Sequence, residues 1–513
     1  MKKLLSIILL ITSILSLSCN HNKLNSSLTS SIGKVGEITV NPLGVTPLSA
    51  VYTTETVNAA PITVTVKGLY GEPDIIHTYP AGYGTEFEIH GMFPESQNVI
   101  EVNDGGRIIT KNVPVGALQN GIQKKYDVVI NNLPEEKYEN NPNFYFISYN
   151  AGSESIGISR NGYIRYFNTF PAGYMSKIII NNKKLNIVKL TEYQKDVSAI
   201  SDFVGNRIKT LPEIAHHDLI IIKNNYVHLG NSSWGGEDSL IELSYSGNII
   251  KHKNFGTLIK DVVLLNNDAS EIATLNKIVF DENNKYINKS GMQEATDWFH
   301  ANSLVYDSST DILYVSSRHR GVLAIDYSDW KLIWWMADDT LQTSTSDSYL
   351  NGSMSPYQVY FKDLPSLLPY RVKGAGLDDG PKNQHALFLL ANGNLGMFDN
   401  QGDENTNPNG SRYVEYKITG SFGNYMAQKV YEYRDSSLYS RIMSDVDFTG
   451  ENYENLLLCY AYPTARILEI EKNTKNVLFR LDLPFMTYRA DKMPLYYDEG
   501  RVYSEDCNLK NPN

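Results

Sequence analysis

The sequence predicts an all-β protein, specifically a six-bladed β-propeller with an N-terminal β-sandwich domain. Tyrosine is abundant at 35 residues, Asn-Gly and Ser-Gly turns recur, and no segment sustains a long apolar pattern with helical period. After about residue 140 the chain repeats a unit of four short strands, which is the build of a propeller blade. We count six units, with five and seven as the alternatives.

Residues 1–19 have the layout of a secretory signal peptide. Two lysines precede an apolar run that is too short to span a bilayer, and small residues follow it. The ending LSLSC resembles a bacterial lipoprotein box, which predicts cleavage and lipidation at Cys19; an ordinary cleaved signal is the alternative. Residues 20–36 are rich in Ser and Asn and predict a flexible tether. We therefore expect an exported protein that is periplasmic or anchored to a membrane through lipid on Cys19.

The mature chain divides into a small and a large β domain. Residues 37–130 contain short alternating strands between Pro and Gly turns, as in a β-sandwich, and residues 140–513 contain the repeats. Cys459 and Cys507 are the two remaining thiols, and the sequence leaves open whether they form a disulfide. The net charge of −11, with no basic stripe, argues against nucleic acid as a partner.

Comparison of the repeats singles out three histidines. His217 and His385 superimpose, each seven residues before an asparagine, and His300 falls near the same place in its own unit. The innermost strands of a propeller surround a central channel, so we expect these histidines to converge there. His216 and His319 should point the opposite way along their strands, although the choice between His216 and His217 stays open.

The chemistry of this cluster has two interpretations. Neutral imidazole is a common zinc ligand, and Asp218 can complete a metal-binding set. Arg318 in YVSSRH favours the other interpretation, an anion site without metal or cofactor, because a guanidinium is a planar fork matched to sulfate, phosphate or carboxylate.

Several motifs then resemble the bacterial arylsulfate sulfotransferases that do not use the nucleotide sulfate donor. These motifs are DWFHANSLVYD (297–307), YVSSRH (314–319), QHALFLLANGNLGMFDN (384–400) with SRYVEYK (411–417), and VNPLGVTPLSA (40–50). The resemblance covers nearly the whole chain. It implies a six-bladed propeller with an N-terminal sandwich, export, a homodimer, and no cofactor.

The resemblance also implies a mechanism. A sulfuryl group would pass from a phenolic sulfate donor to a phenol acceptor by ping-pong transfer through a sulfated histidine, which by motif match is His385. His300, Asn302, Arg318 and one histidine of HHD, taken as His217, would bind the sulfuryl oxygens. A hydroxyl from the last unit contributes in the family, and Ser440 and Ser444 are the two candidates. Trp298 and the tyrosines are candidate linings for an aromatic substrate.

Two other classes of function compete with this one. A non-catalytic surface module would bind an anionic aromatic or sugar ligand in its channel without turnover. A metal-dependent hydrolase or lyase would require stoichiometric metal.

Overall fold

The computed structural model describes residues 32–152, 154–170, 175–190, 198–211, 215–230, 238–266, 268–273, 286–287, 293–294, 299–338, 361–402, 409–501 and 503. The signal peptide with Cys19, most of the tether, Trp298 and Cys507 lie outside these ranges. Cys459 is buried. No helix of the described residues is long and apolar enough to cross a membrane.

The N-terminal domain is formed by two antiparallel sheets. Its strands are β1 (Ile38–Val40), β2 (Ser49–Thr53), β3 (Ile62–Val66), β4 (Ile75–Tyr79), β5 (Glu86–His90), β6 (Ser96–Asp104) and β7 (Arg107–Val115). One sheet has the order β1-β2-β5 and the other β4-β3-β6-β7. Alternate residues of β3 are buried, as expected for a strand with one face on the core. The predicted β-sandwich is confirmed.

The rest of the chain builds successive small sheets. Its first strands are β8 (Val128–Asn131), β9 (Phe144–Ser148), β10 (Ser155–Ile158), β11 (Ile164–Asn168), β12 (Met175–Asn181), β13 (Lys184–Leu190), β14 (Ala199–Ser201), β15 (Arg207–Thr210), β16 (Ala215–Ile222), β17 (Asn225–Gly230), β18 (Ser239–Leu243) and β19 (Ile249–Asn254). A helix, α1 (Phe255–Asn266), and a short hairpin of β20 (Tyr286–Ile287) and β21 (Gln293–Glu294) follow.

The later strands repeat the same pattern. They are β22 (Ala301–Asp307), β23 (Ile312–Ser317), β24 (Gly321–Asp326), β25 (Lys331–Met336), β26 (Val372–Lys373), β27 (His385–Leu389), β28 (Leu395–Asp399), β29 (Arg412–Thr419), β30 (Tyr425–Arg434), β31 (Asp445–Thr449), β32 (Asn455–Tyr460), β33 (Arg466–Glu471), β34 (Val477–Asp482) and β35 (Ala490–Met493). Short 3-10 helices span Gln119–Gly121, Tyr149–Ala151, Phe361–Asp363 and Pro365–Tyr370.

Within the described ranges, these strands form six sheets of four or five strands around a central channel. The sheet orders are β35-β9-β10-β11, β12-β13-β14-β15, β16-β17-β18-β19, β22-β23-β24-β25, β27-β28-β29-β30-β26 and β31-β32-β33-β34-β8. The first strand of each sheet contacts the first strand of the next, and β35 returns to β12 to close the ring. Inner strands such as β16 are almost wholly buried, whereas outer strands such as β15 and β19 are largely exposed. The predicted β-propeller is confirmed.

The two ends of the large domain close the ring. The C-terminal strand β35 is the inner strand of the sheet that β9 begins, and β8 is the outer strand of the last sheet, paired with β34. The predicted sandwich boundary at residue 130 is therefore wrong for β8, since residues 128–131 belong to the propeller. The local sequence of β8 could not reveal this because its partner is more than 300 residues away.

Helix α1 is a second departure from the expected repeat. Its apolar residues are spaced three or four apart and lie on one buried face, formed by Phe255, Leu258, Ile259, Val262 and Val263. This spacing is present in the sequence, but the helix is only twelve residues long and is embedded between strands. It packs against β19 and β25, the outer strands of two neighbouring sheets, and against the 3-10 helix Pro365–Tyr370.

Candidate functional site

Three inner strands carry a β-bulge next to the predicted site residues. The ladders shift register between His216 and Leu219 in β16, between Ala301 and Ser303 in β22, and between His385 and Leu387 in β27. His217, His300 and Ala386 have φ angles of 55°, 54° and 50°, which cost non-glycine residues about 1–3 kcal/mol each. A bulge changes where neighbouring side chains point, and such strain concentrates at functional sites.

The structure brings the five predicted site residues together. The rings of His217 and His300 lie 4.9 Å apart between centroids. The backbone N–H of Arg318 donates to the His300 carbonyl at 2.9 Å. The amide nitrogen of Asn302 donates to the carbonyl of Gln384, next to His385, at 2.8 Å.

The strand pairing in β16 and β27 shows that His217 and His385 are not structurally equivalent, although the repeat alignment predicted that they are. His385 pairs with Phe398, and the equivalent paired residue of β16 is His216, which pairs with Leu229. His217 lies in a bulge of two residues, yet its ring is the one that contacts His300. The expectation that side chains alternate along the strand, with His216 pointing away from His217, therefore does not apply at this bulge. His216 and His319 are both buried and pack edge-on against His217 and His300.

His385 is a neutral imidazole in this environment. Its Nδ1 lies 2.8 Å from Oδ1 of Asn400 and 3.1 Å from the carbonyl oxygen of Asn383. Burial lowers the pKa of His385 well below its usual 6.5. The hydrogen bond to Asn400 opposes this pKa shift, while the charges of Arg318 and the other two histidines reinforce it. The guanidinium of Arg318 and the imidazoles of His217 and His300 therefore lie close to the ring of His385.

The hydroxyl candidates differ in position. Both serines are buried, and Oγ of Ser444 donates to Oγ of Ser440 at 2.8 Å. Ser444 has a φ of 89° and lines the channel cavity. Ser440 stands behind it, and its carbonyl accepts a hydrogen bond from the Asn400 amide at 2.8 Å. Ser444 is thus the hydroxyl that contacts the cavity.

A cavity of about 340 Å³ runs along the channel beside the histidine cluster. His385, Asn302 and Ser444 line it, together with the charged side chains Lys177, Asp218, Asp445, Arg489 and Asp491 and apolar residues of the inner strands. The cavity is therefore polar and charged where it meets His385.

Asp218 anchors the bulge that follows His217. Its carboxylate accepts hydrogen bonds from Nζ of Lys177 at 3.0 Å and from the backbone N–H of Leu304 at 2.8 Å, and Arg489 lies 3.6 Å away. Burial alone would raise the pKa of Asp218, but the charges of Lys177 and Arg489 outweigh it and lower the pKa. Asp218 is therefore a structural anion and is already paired.

Two further carboxylates, those of the partly buried Asp445 and the buried Asp491, share the cavity. Burial raises the pKa of Asp445 to about 7 and that of Asp491 to about 6, although the positive charge of Arg489 opposes both shifts. In the described part of the chain, the one group of three potential metal ligands within 4.8 Å of one another is Asp445, Asp447 and Asp491. The histidines are not part of it.

The segment before β35 supplies two contacts to His217 that the repeats did not reveal. The hydroxyl of Tyr488 lies 2.7 Å from Nδ1 of His217, and the two rings stack with centroids 5.5 Å apart. Nη2 of Arg489 donates to the His217 carbonyl at 2.5 Å. Neither residue has a counterpart in the repeat alignment, because the closing strand comes from the end of the chain.

Comparison with known proteins follows the division into two domains. A family model described as Arylsulfotransferase (ASST) matches residues 130–496, and a model described as Arylsulfotransferase Ig-like domain matches residues 37–112.

Two curated relatives are named arylsulfate sulfotransferase. The chain is 25% identical over 224 residues to the protein of Escherichia coli O6:H1, covering 38% of this chain and 34% of that protein. It is 27% identical over 277 residues to the protein of Lelliottia amnigena, covering 48% of this chain and 44% of that protein. The matches thus span less than half the length of these relatives.

Among solved structures, similarity is low. A β-propeller domain of Cps50 (Swd1) from Myceliophteria thermophila has a TM-score of 0.35 and 9% identity, covering 72% of this chain and 97% of that chain. A structural genomics protein of unknown function from Bacteroides thetaiotaomicron has a TM-score of 0.34 and 8% identity, covering 83% and 84% of the two chains.

Proposed function

The chain belongs to the arylsulfotransferase family, and from this membership we propose that it moves a sulfuryl group from a phenolic sulfate ester to a phenol acceptor. The observation that carries the proposal is the neutral, buried imidazole of His385, whose pKa is lowered by burial and by Arg318, His217 and His300. A neutral imidazole is a nucleophile, and the guanidinium of Arg318 suits an anionic sulfate ester.

The first transfer forms a covalent intermediate. The lone pair of His385 attacks the sulfur of the donor, and the bond between sulfur and the aryl oxygen breaks. The aryl oxygen leaves with the bonding electrons as a phenolate. The sulfuryl group is then attached to a positively charged imidazole, which is a good leaving group.

The second transfer regenerates His385, and the proton that His300 takes up is then released to solvent or to the departing phenolate. The oxygen of the acceptor phenol attacks the sulfur, and the nitrogen–sulfur bond breaks with its electrons returning to His385. A phenol, with a pKa near ~10, must lose its proton as it attacks. His300 is the base that we propose for this step, since its ring belongs to the same cluster.

Three residues would stabilise the charge on the transferring group. Arg318 offers a guanidinium, and His217 offers a ring N–H. Asn302 uses one amide hydrogen on the Gln384 carbonyl and has a second to donate. Well-placed donors of this kind typically contribute ~3–4 kcal/mol each to transition-state stabilisation.

The cellular setting is also part of the proposal. The signal-like residues 1–19 support export, with lipid on Cys19 holding the protein in the periplasm or at a membrane. The family resemblance adds a homodimer. Metabolic labelling with a fatty-acid analogue tests the anchor, and a label that persists in Cys19→Ser would contradict it. Sedimentation of the purified protein tests the dimer, and a monomer at all concentrations would contradict it.

Transfer itself is tested with purified protein, p-nitrophenyl sulfate and added phenol. We expect phenol-dependent release of p-nitrophenol, its loss in His385→Asn and His385→Ala, and its retention in the exposed control His252→Asn. Activity that survives loss of His385 would contradict the mechanism. Ligand binding without turnover would favour a binding module, and inhibition by a chelator would favour a metal enzyme.

A further inference from the structure

The ring of His385 has a defined set of partners on one side. Its Nδ1 faces two oxygen atoms, Oδ1 of Asn400 at 2.8 Å and the backbone carbonyl of Asn383 at 3.1 Å. A carbonyl oxygen accepts hydrogen bonds and does not donate them. Two acceptors therefore meet at the same ring nitrogen.

The orientation of the Asn400 amide is set by its other end. Its Nδ2 donates to the carbonyl of Ser440 at 2.8 Å and to the carbonyl of Met443 at 3.1 Å. Flipping the amide would place its oxygen against these two carbonyl oxygens and its NH2 against His385. The two N–H groups of Asn400 would then lose their carbonyl acceptors in a buried site. The orientation with Oδ1 facing His385 is therefore the stable one.

A neutral imidazole carries one proton, and the nitrogen that faces acceptors is the one that holds it. We propose that Asn400, assisted by the Asn383 carbonyl, is a positioning residue that keeps His385 protonated on Nδ1 and so leaves the lone pair on Nε2. No hydrogen bond to Nε2 is found among the described residues, and His385 is one of the residues that line the channel cavity. Nε2 is then the nitrogen that attacks sulfur, a consequence that rests on the proposed function.

The contrast with His217 supports this assignment. Nδ1 of His217 faces the hydroxyl of Tyr488, which can donate as well as accept. With Tyr488 donating, the proton of a neutral His217 lies on Nε2. The two histidines thus have different partners at the same ring position, one suited to a nucleophile and the other to a donor.

The neutral amide also suits the covalent intermediate. When Nε2 carries the sulfuryl group, the ring is positive and its Nδ1–H still donates to Asn400. An amide oxygen does not remove that proton, so the ring remains a good leaving group for the second transfer. A carboxylate in the same place would compete for the proton.

The direct test is nitrogen NMR of the resting protein with isotope-labelled histidine and no donor. The chain has 10 histidines, and comparison with His385→Gln assigns the signals of His385. We expect a protonated Nδ1 and an unprotonated Nε2 at neutral pH. A protonated Nε2 with a bare Nδ1, or a mixture of the two tautomers, would overturn the proposal.

Variants add a kinetic readout. Asn400→Leu removes the side-chain acceptor, whereas Asn400→Asp keeps an oxygen facing Nδ1. We expect Asn400→Leu to lose the single tautomer and to slow sulfation of the protein roughly 10- to 100-fold, the range seen when an orienting partner of a functional histidine is removed. The KM for the donor should change little, and Asn400→Asp should keep the Nδ1 proton of the resting protein, in which the ring of His385 carries no positive charge.

Asn392→Leu is the matched control, because this asparagine lies in the exposed turn of the same hairpin, where its side chain accepts from the backbone N–H of Asn394, and not at the ring. It should leave the tautomer unchanged. Full activity and an unchanged tautomer in Asn400→Leu would refute the role of Asn400. If Asn400→Leu does not fold, the spectra of the unmodified protein and of Asn400→Asp decide the question. The expected tautomer in a protein that transfers no sulfate would refute the proposed function and leave the ring assignment standing.

Discussion

The contact between Tyr488 and His217 allows a quantitative test of how the closing strand supports the site. Replacing Tyr488 by Phe keeps the ring that stacks on His217 and removes only the hydroxyl at 2.7 Å from Nδ1. Both side chains are buried, so loss of this hydrogen bond to Nδ1 costs about 1–3 kcal/mol. If this cost falls on the transition state, kcat/KM drops roughly 5- to 150-fold.

The assay is the steady-state release of p-nitrophenol in the presence of phenol, with thermal unfolding measured in parallel. Tyr460→Phe is the matched control, because Tyr460 is fully buried and its hydroxyl has no hydrogen-bond partner among the described residues. We expect the control to retain its activity. A folded Tyr488→Phe protein with activity within about two-fold of the parent would refute a role for this hydrogen bond, since even ~1 kcal/mol corresponds to more than that.

Three other predictions concern charge and pH. Because burial lowers the pKa of His385 well below 6.5, sulfation of the protein by donor alone should persist as the pH falls below 6.5; a rate that halves near 6.5 would contradict this. Burial lowers the pKa of His228 from 6.5 to about 4, so the unfolded chain takes up that proton first and stability is lost as the pH falls across this range. Denaturant titrations at several pH values should show that His228→Gln removes about 3 kcal/mol of this loss, whereas the exposed control His252→Gln does not. Arg489→Met removes one of the two cations, the other being Lys177, whose charges act on Asp218, Asp445 and Asp491, and we expect a loss of about 3–5 kcal/mol in the same titration at neutral pH. An unchanged unfolding midpoint would contradict the ionic role of Arg489.

The repeats explain why part of the site could be predicted from the sequence. Each sheet begins with an inner strand, so residues at the start of different units meet at the channel even when they are far apart in the chain. His217, His300 and His385 were found in this way, and the structure places them together. The β-propeller was predicted from these repeats and the β-sandwich from its short alternating strands, and both are confirmed.

Features that depend on partners outside the repeat were missed. Tyr488 and Arg489 come from the segment that closes the ring, and β8 pairs with β34 across most of the chain. A repeat alignment compares units with one another and has no place for such segments. The proximity of Asn400 to His385 could have been found, because the hairpin pairs His385 with Phe398, two residues before Asn400.

The bulges explain the remaining error. A strand that alternates regularly would place only one of His216 and His217 near the channel cluster. The two unpaired residues at the β16 bulge break this alternation, so the equivalence of His217 and His385 holds for the cluster but not for the ladder. A bulge depends on backbone conformation, and the residue types of β16 do not predict one.

The central claim is that His385 carries the sulfuryl group between donor and acceptor. The most direct measurement is the mass of the intact protein after exposure to p-nitrophenyl sulfate alone, followed by peptide mapping. We predict a gain of one SO3 on the peptide that contains His385, its removal on addition of phenol, and no gain in His385→Asn. A protein that releases p-nitrophenol in the presence of phenol but never gains this mass would contradict the covalent mechanism.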